Sequence, residues 1–261
     1  MSNLENPLLL KEYSSLRGPY QLVLKENDQP NNISEYYLKL IDQFSHKKIN
    51  SILEIYSEDS MQVSLRKAGY QVTSIVLDMQ VNAVGGEKDG DHFIIGQDFN
   101  LPDFKQKFDA ILITEGSFGK LVSEEKSVEF ISCLTRCLNS SALILFEFWH
   151  LPGVEKDLTD DKGRKDWEKI DSASEGTIIR LTNSKLHLAT SLLSVDIHYI
   201  IENNNQIRQF NESHLWRLYT LSEINLLLSN EGYQFVKAFK FATLNEPEFD
   251  SFRLLGIYEK T

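Results

Sequence analysis

The 261-residue chain is predicted to be an α/β domain: a mainly parallel sheet flanked by helices, with an antiparallel β insertion after the fifth strand. Three observations predict it. Short apolar runs alternate with helical patterns between residues 49 and 148, as βαβ units require. Those runs are apolar almost throughout, as strands buried on both faces must be. From residue 177 to 201 the pattern changes to apolar–polar alternation, which suits a half-exposed antiparallel sheet.

The elements follow in order. Residues 1–32 are punctuated by Pro7, Gly18, Pro19 and Pro30. Residues 33–44 read as a helix, with Ser34 as N-cap and Tyr37, Leu40, Ile41 and Phe44 on one stripe. Residues 49–55 form a first strand, and 60–68 a helix closed by Gly69. The second, third and fourth strands are 71–77, 92–95 and 108–114. Gly85-Gly86 lies between the second and third as a flexible turn. An amphipathic helix spans 124–138, with Val128, Ile131, Leu134 and Leu138 on its apolar face. The fifth strand, 142–148, is apolar except for Glu147. The polar, charged stretch 149–175 is expected to be a mobile loop or lid. Two β-like runs, 177–181 and 186–201, flank a turn at Asn183-Ser184, and Asn203-Asn204-Asn205 closes that sheet. Residues 220–232 form a helix that starts in a Thr220/Glu223 capping box and stops at Gly232. Strands 234–241 and 252–258 complete the fold.

Charge narrows the function classes. Lys and Arg number 27 against 38 Asp and Glu, a formal net charge of −11. No basic cluster offsets this, which argues against nucleic acid and anionic membrane surfaces as partners. The two cysteines, Cys133 and Cys137, are four apart in a helical stretch and read as core residues rather than a disulfide. The six histidines show no metal-ligand spacing, so no metal is expected. The first ten residues carry no signal-peptide pattern, which makes the cytoplasm the default location.

Several segments resemble the class I S-adenosylmethionine-dependent methyltransferases, in particular their small-molecule branch. Phe108-Asp109-Ala110-Ile111-Leu112-Ile113-Thr114 followed by Gly116-Ser117-Phe118-Gly119 is similar to the family's fourth strand and the turn after it. Arg136-Cys137-Leu138 through Ala142 resembles the approach to the fifth strand, without its usual Pro-Gly-Gly. Arg217-Leu218-Tyr219-Thr220-Leu221-Ser222-Glu223 through Glu231-Gly232-Tyr233 resembles the Arg-x-Tyr-Thr-x-x-Glu helix, and Asp250-Ser251-Phe252-Arg253 fits before the last strand. The resemblance implies a single Rossmann-like domain over 1–261 with a seven-stranded sheet. Its parts would be an N-terminal helical segment (1–45), a nucleotide-binding core (46–148), a loop and antiparallel β insertion (149–218), and a closing helix and strands (219–261). The implied cofactor is S-adenosylmethionine, and the implied partner is a small-molecule substrate. A homodimer or a protein partner is left open.

The implied cofactor residues are Glu54, Tyr56, Glu58, Asp78, Asp98, Phe99 and Glu115. In the family the first strand ends in an acid and then a Gly-x-Gly-x-Gly turn. Glycines there permit positive φ, and the following helix offers its positive end to the cofactor carboxylate. Here Glu54 fits the acid, but the glycine positions fall on Tyr56, Glu58 and Ser60. Glu58 and Asp59 add negative charge. Two unit charges about 4 Å apart at an effective dielectric of about 20 repel by about 4 kcal/mol, roughly a thousandfold in affinity. At the start of a helix the same carboxylates are ordinary capping groups. Asp78 is either a shifted ribose-binding acid or a turn residue. Asp98 and Phe99 match an adenine-contacting pair, or an Asx turn before Asn100-Leu101-Pro102.

On the substrate side, Trp149 and His150 follow the fifth strand, where the crevice of such folds lies. His150 or His198 could serve as general base. Trp149, His214, Arg217 and Tyr219 are candidate substrate contacts; Arg217 suits a carboxylate or hydroxyl. Two readings lead, ahead of a third in which a pocket reshaped by Tyr56 runs a different reaction on the same scaffold. One is methyl transfer to a small molecule. The other keeps the fold but not the cofactor, leaving a catalytically inactive binding or partner subunit.

Overall fold

The computed structural model describes residues 33–56, 60–77, 85–86, 92–95, 104, 107–158, 164–172, 176–203 and 206–260. These form two compact units, one of residues 155–216 and one of the remaining described residues.

The larger unit is built on one sheet. Its strands are β1 (Ser51–Tyr56), β2 (Gln71–Leu77), β3 (Gly85–Gly86), β4 (His92–Ile95), β5 (Phe108–Ile113), β6 (Leu138–Trp149), β11 (Tyr233–Lys240) and β12 (Arg253–Lys260). Their order is β11-β12-β6-β5-β1-β2-β4-β3. That makes an 8-stranded sheet rather than the expected seven. The additional strand is Gly85–Gly86, which pairs antiparallel with Ile94 and Phe93 instead of forming a free turn. The central pairs β4–β2, β2–β1, β1–β5 and β5–β6 are parallel, and β12 and β11 close the edge antiparallel.

Period-two alternation sorts the side chains into two layers. Leu53, Ile55, Ile111, Ile113, Ile144 and Phe146 pack with α3 (Glu124–Arg136) and α5 (Leu221–Ser229). Ile52, Ala110, Leu112, Leu143, Leu145 and Leu255 pack with α1 (Ile33–Phe44) and α2 (Gln62–Lys67). α1 buries Tyr36, Tyr37, Leu40 and Ile41, close to the expected stripe. In α3 the inward face is Phe130, Ile131, Cys133 and Leu134, while Val128 is 50% exposed. The stripe is therefore rotated from the one expected, because Phe130 and Ser127 take the inward positions. Cys133 and Cys137 are free thiols. The capping box of α5 is present: the Thr220 side chain accepts from the Glu223 N–H, and Glu223 accepts from the Thr220 N–H.

The smaller unit is a 4-stranded sheet in the order β10-β9-β8-β7. Its strands are β7 (Arg164–Ser172), β8 (Gly176–His187), β9 (Leu192–Asn203) and β10 (Gln206–Arg217). Three expectations are corrected here. The stretch 149–175 contains α4 (Leu151–Asp157) and β7, where a loop was expected. No turn falls at Asn183-Ser184; both lie within β8, paired with Asp196 and Val195. The reversal comes at Leu188–Thr190, closed by Ser191 at φ 54°. Asn203 ends β9, and the chain returns in β10. β7 and β10 are rich in charged and amide side chains, so their apolar period is faint. Ladder hydrogen bonds form regardless of that period. No described helix is long and apolar enough to cross a membrane.

Candidate functional site

β1 has β2 on one side and β5 on the other, and the chain reverses its direction of growth across the sheet between β1 and β5. In open α/β sheets, ligands bind outside the carboxyl ends of the strands at this switch point. Glu54, Tyr56 and the turn after β5 lie at or beside this end.

Glu54 is fully buried on the face covered by α1 and α2. Its carboxylate accepts from Ser60 Oγ at 2.6 Å, from the Met61 N–H at 2.5 Å and from Ser74 Oγ at 2.7 Å. One acid thus ties Ser60 and Met61, at the start of α2, back onto β1 and β2. Ser60 Oγ also accepts from the Gln62 N–H at 3.0 Å. Serine hydroxyls and an acid side chain hold the start of α2. Tyr56 is buried beside it, paired with Val76. Helix α2 spans only six residues, shorter than the expected 60–68. Glu58, Asp78, Asp98 and Phe99 lie outside the described residues.

After β5 the backbone turns through two left-handed residues, Glu115 at φ 56° and Gly116 at φ 60°. A non-glycine residue there costs roughly 1–2 kcal/mol. At Gly116 a Cβ would lie 2.1 Å from Trp149 Nε1, so the indole packs where a side chain would otherwise be. The Glu115 N–H donates to Glu147 Oε2 at 2.9 Å. Thr114 N–H and Ser117 Oγ both donate to the Ile55 carbonyl, stitching this turn to the end of β1.

Sequence patterning passes over the group behind this turn. Glu147 and Arg253 are 1% and 2% exposed at the side chain and lie 3.2 Å apart. Tyr37 Oη donates to Glu147 Oε2 at 2.7 Å. Burial first, and then the Glu147 charge, push the Tyr37 phenol well above its ordinary pKa, so it stays a donor. The Arg253 guanidinium lies 3.8 Å from the Phe241 ring centroid and 5.8 Å from that of Trp149. The one available signal was Glu147 itself, a charge inside an apolar strand.

His150 follows β6 and is buried. Its Nδ1 lies 3.1 Å from the Ser251 carbonyl oxygen. A carbonyl only accepts, so Nδ1 carries the proton and Nε2 the lone pair. Burial holds the imidazole below its ordinary pKa of 6.5, against the opposing effect of the Ser251 contact. His150 is therefore a neutral base at neutral pH. The other expected residues are already engaged. Arg217 donates to Glu124 Oε1 at 2.8 Å and lies over the Tyr219 ring. Tyr219 is 2% exposed, with its hydroxyl 2.8 Å from Ser127 Oγ and its ring against Phe118. In the smaller unit His198 Nδ1 lies 2.6 Å from Asn211 Oδ1, and His214 stacks on Trp216 and pairs with Glu212. His198 borders a shallow cavity of about 630 Å³ lined also by Lys165, Trp167, Leu181 and Asp196. Among the described residues no group of three or more His, Cys, Asp or Glu is placed to hold a metal.

No protein-family model matches the chain, and no curated protein matches it by sequence. Solved structures do match by shape. A S-adenosylmethionine-dependent methyltransferase from Clostridium acetobutylicum ATCC 824 superposes with a TM-score of 0.67 at 12% identity, over 97% of this chain and 98% of that one. An amino pentose methyltransferase from Micromonospora echinaspora, involved in calicheamicin biosynthesis, gives 0.65 at 11% identity over 100% of both chains. A sugar N-methyltransferase from Streptoalloteichus sp ATCC 53650 gives 0.62 at 13% identity over 91% of this chain and 92% of that one. The fold is that of the class I S-adenosylmethionine-dependent methyltransferases.

Proposed function

We propose that this protein is a S-adenosylmethionine-dependent methyltransferase acting on a small molecule. The observation that carries the reading is the buried Glu54 carboxylate, which draws the start of α2 onto the sheet at the switch point. The donor set fits such a cofactor in its frame: an acid near the end of the first strand, with Ser60 and Met61 bonded to it, beside the carboxyl end of β5. It departs from the family at the helix start, where the Met61 and Gln62 N–H groups are already bonded to Glu54 and Ser60. The residues that would hold the cofactor are Tyr56 and Glu115, on the frame set by Glu54, with Glu58, Asp78, Asp98 and Phe99 assigned from the family pattern. The bound group supplies an electrophilic methyl on a sulfonium.

The chain's own residues contribute positioning and a base. His150 is favoured over His198 because its Nε2 lone pair is available at neutral pH and it follows directly from β6. It would take a proton from an acceptor hydroxyl or amine at Nε2. Trp149, beside it, is the favoured acceptor contact. The sugar-directed neighbours support an acceptor of amino-sugar or similar polyhydroxylated type.

The test is calorimetric titration with S-adenosylmethionine and S-adenosylhomocysteine. Saturable binding in the micromolar range is expected. No heat and no thermal shift at millimolar ligand would sink the reading and leave the inactive partner-subunit alternative.

A further inference from the structure

We propose that Glu147 is a positioning residue for the crevice at the end of β5. It fixes the Glu115–Gly116 turn from behind, and Tyr37 extends that hold to helix α1. The cofactor part of this inference rests on the function proposed above. Its geometry does not.

The argument starts from an awkward turn. Glu115 and Gly116 both occupy the left-handed region, one of them without glycine's freedom. Such a conformation persists only where the surroundings over-determine it. The Ile55 carbonyl of β1 holds the turn's flanks, taking the Thr114 N–H and Ser117 Oγ, and two further contacts come from β6. Trp149 packs on Gly116. Glu147 accepts the Glu115 N–H through Oε2, the same oxygen that takes the Tyr37 hydroxyl.

Glu147 is itself held. Arg253 on the neighbouring strand β12 supplies the opposite charge, and Leu255 pairs with Glu147 in the ladder. Tyr37 reaches it across 110 positions of sequence. One carboxylate therefore connects α1, β12 and the end of β5. A charged acceptor makes a shorter and stronger bond to a backbone N–H than a neutral one. Here that acceptor meets the N–H of a left-handed residue at the carboxyl end of β5.

The experiment uses the full chain with Glu147→Gln, Glu147→Asp and Tyr37→Phe, read two ways. Amide exchange at Glu115, followed by NMR without ligand, reports the turn. Calorimetry with S-adenosylhomocysteine reports the crevice. Glu147→Gln keeps an acceptor but loses the charge, and is expected to speed Glu115 exchange and weaken ligand binding, each about tenfold. Tyr37→Phe keeps the ion pair and should shift both in the same direction by less. If Glu147→Gln does not fold, Tyr37→Phe and Glu147→Asp decide. Folded variants in which Glu115 exchange and affinity both match the parent would overturn the proposal. So would an affinity loss that merely tracks lowered melting temperature with Glu115 exchange unchanged. If the parent chain binds no ligand, the proposed function fails alone, and Glu115 exchange still decides whether Glu147 holds the turn.

Discussion

At the scale of single residues, the site depends on side chains whose environment changes their chemistry. His150 shows it most directly. Burial lowers its pKa in the folded chain from the 6.5 expected when unfolded. Well above 6.5 both states are neutral and the group contributes nothing to pH dependence. Below it the unfolded chain takes up a proton that the folded chain refuses, so stability falls as pH drops. The urea midpoint should therefore fall more steeply between about pH 7 and 5.5 for the parent than for His150→Gln. Identical slopes would mean the imidazole is not shielded. If His150 is the base, His150→Gln should also lower kcat by about 10²- to 10⁴-fold, with cofactor affinity unchanged. The Glu147–Arg253 pair is a different case. Removing either partner leaves an uncompensated buried charge, a loss of about 3–5 kcal/mol.

At the scale of elements, local chemistry ends helices and close packing places them. The α5 capping box satisfies backbone groups that would otherwise lack partners. Thr220→Ala should cost about 1 kcal/mol, visible as a lower denaturation midpoint with the slope retained. Gly153, in α4, illustrates packing. A Cβ there would lie 2.4 Å from the Ser251 carbonyl oxygen, a backbone atom that cannot swing away. That same oxygen faces His150 Nδ1. Gly153→Ala is expected to cost about 1–3 kcal/mol and to disturb the pH profile of activity. A variant with parental stability and profile would show that the Ser251 segment yields freely.

At the scale of the whole molecule, a cofactor bound at the β1–β5 switch point should stabilise the fold. A ligand that binds only the folded state contributes about 2.7 kcal/mol at 100 times its Kd. For a chain of this size that is a rise of about 5–10 °C in Tm. Differential scanning calorimetry with S-adenosylhomocysteine should show it. Binding heat without such a shift would point to a site that forms equally well in unfolded chain.

The parallel core, the order of its strands along the chain and the capping box of α5 were readable from the amino-acid sequence, whereas the fifth strand begins at Leu138, inside the helix expected over 124–138. β2 was legible to the residue, because a β-branched run bounded by Gly69 and polar positions is a local signal. Glu54 was singled out through the family resemblance, as the acid near the end of the first strand. Strands β7 and β10, and the reversal at 188–191, were not legible. Their side chains vary in polarity, and only pairing with neighbouring strands makes them strands. Tertiary structure alone decided the Glu147–Arg253–Tyr37 group and the burial of the Tyr219 hydroxyl on Ser127. Periodicity reads neighbours along the chain, whereas these contacts join residues about a hundred positions apart. They exist only once the sheet has brought those residues into register.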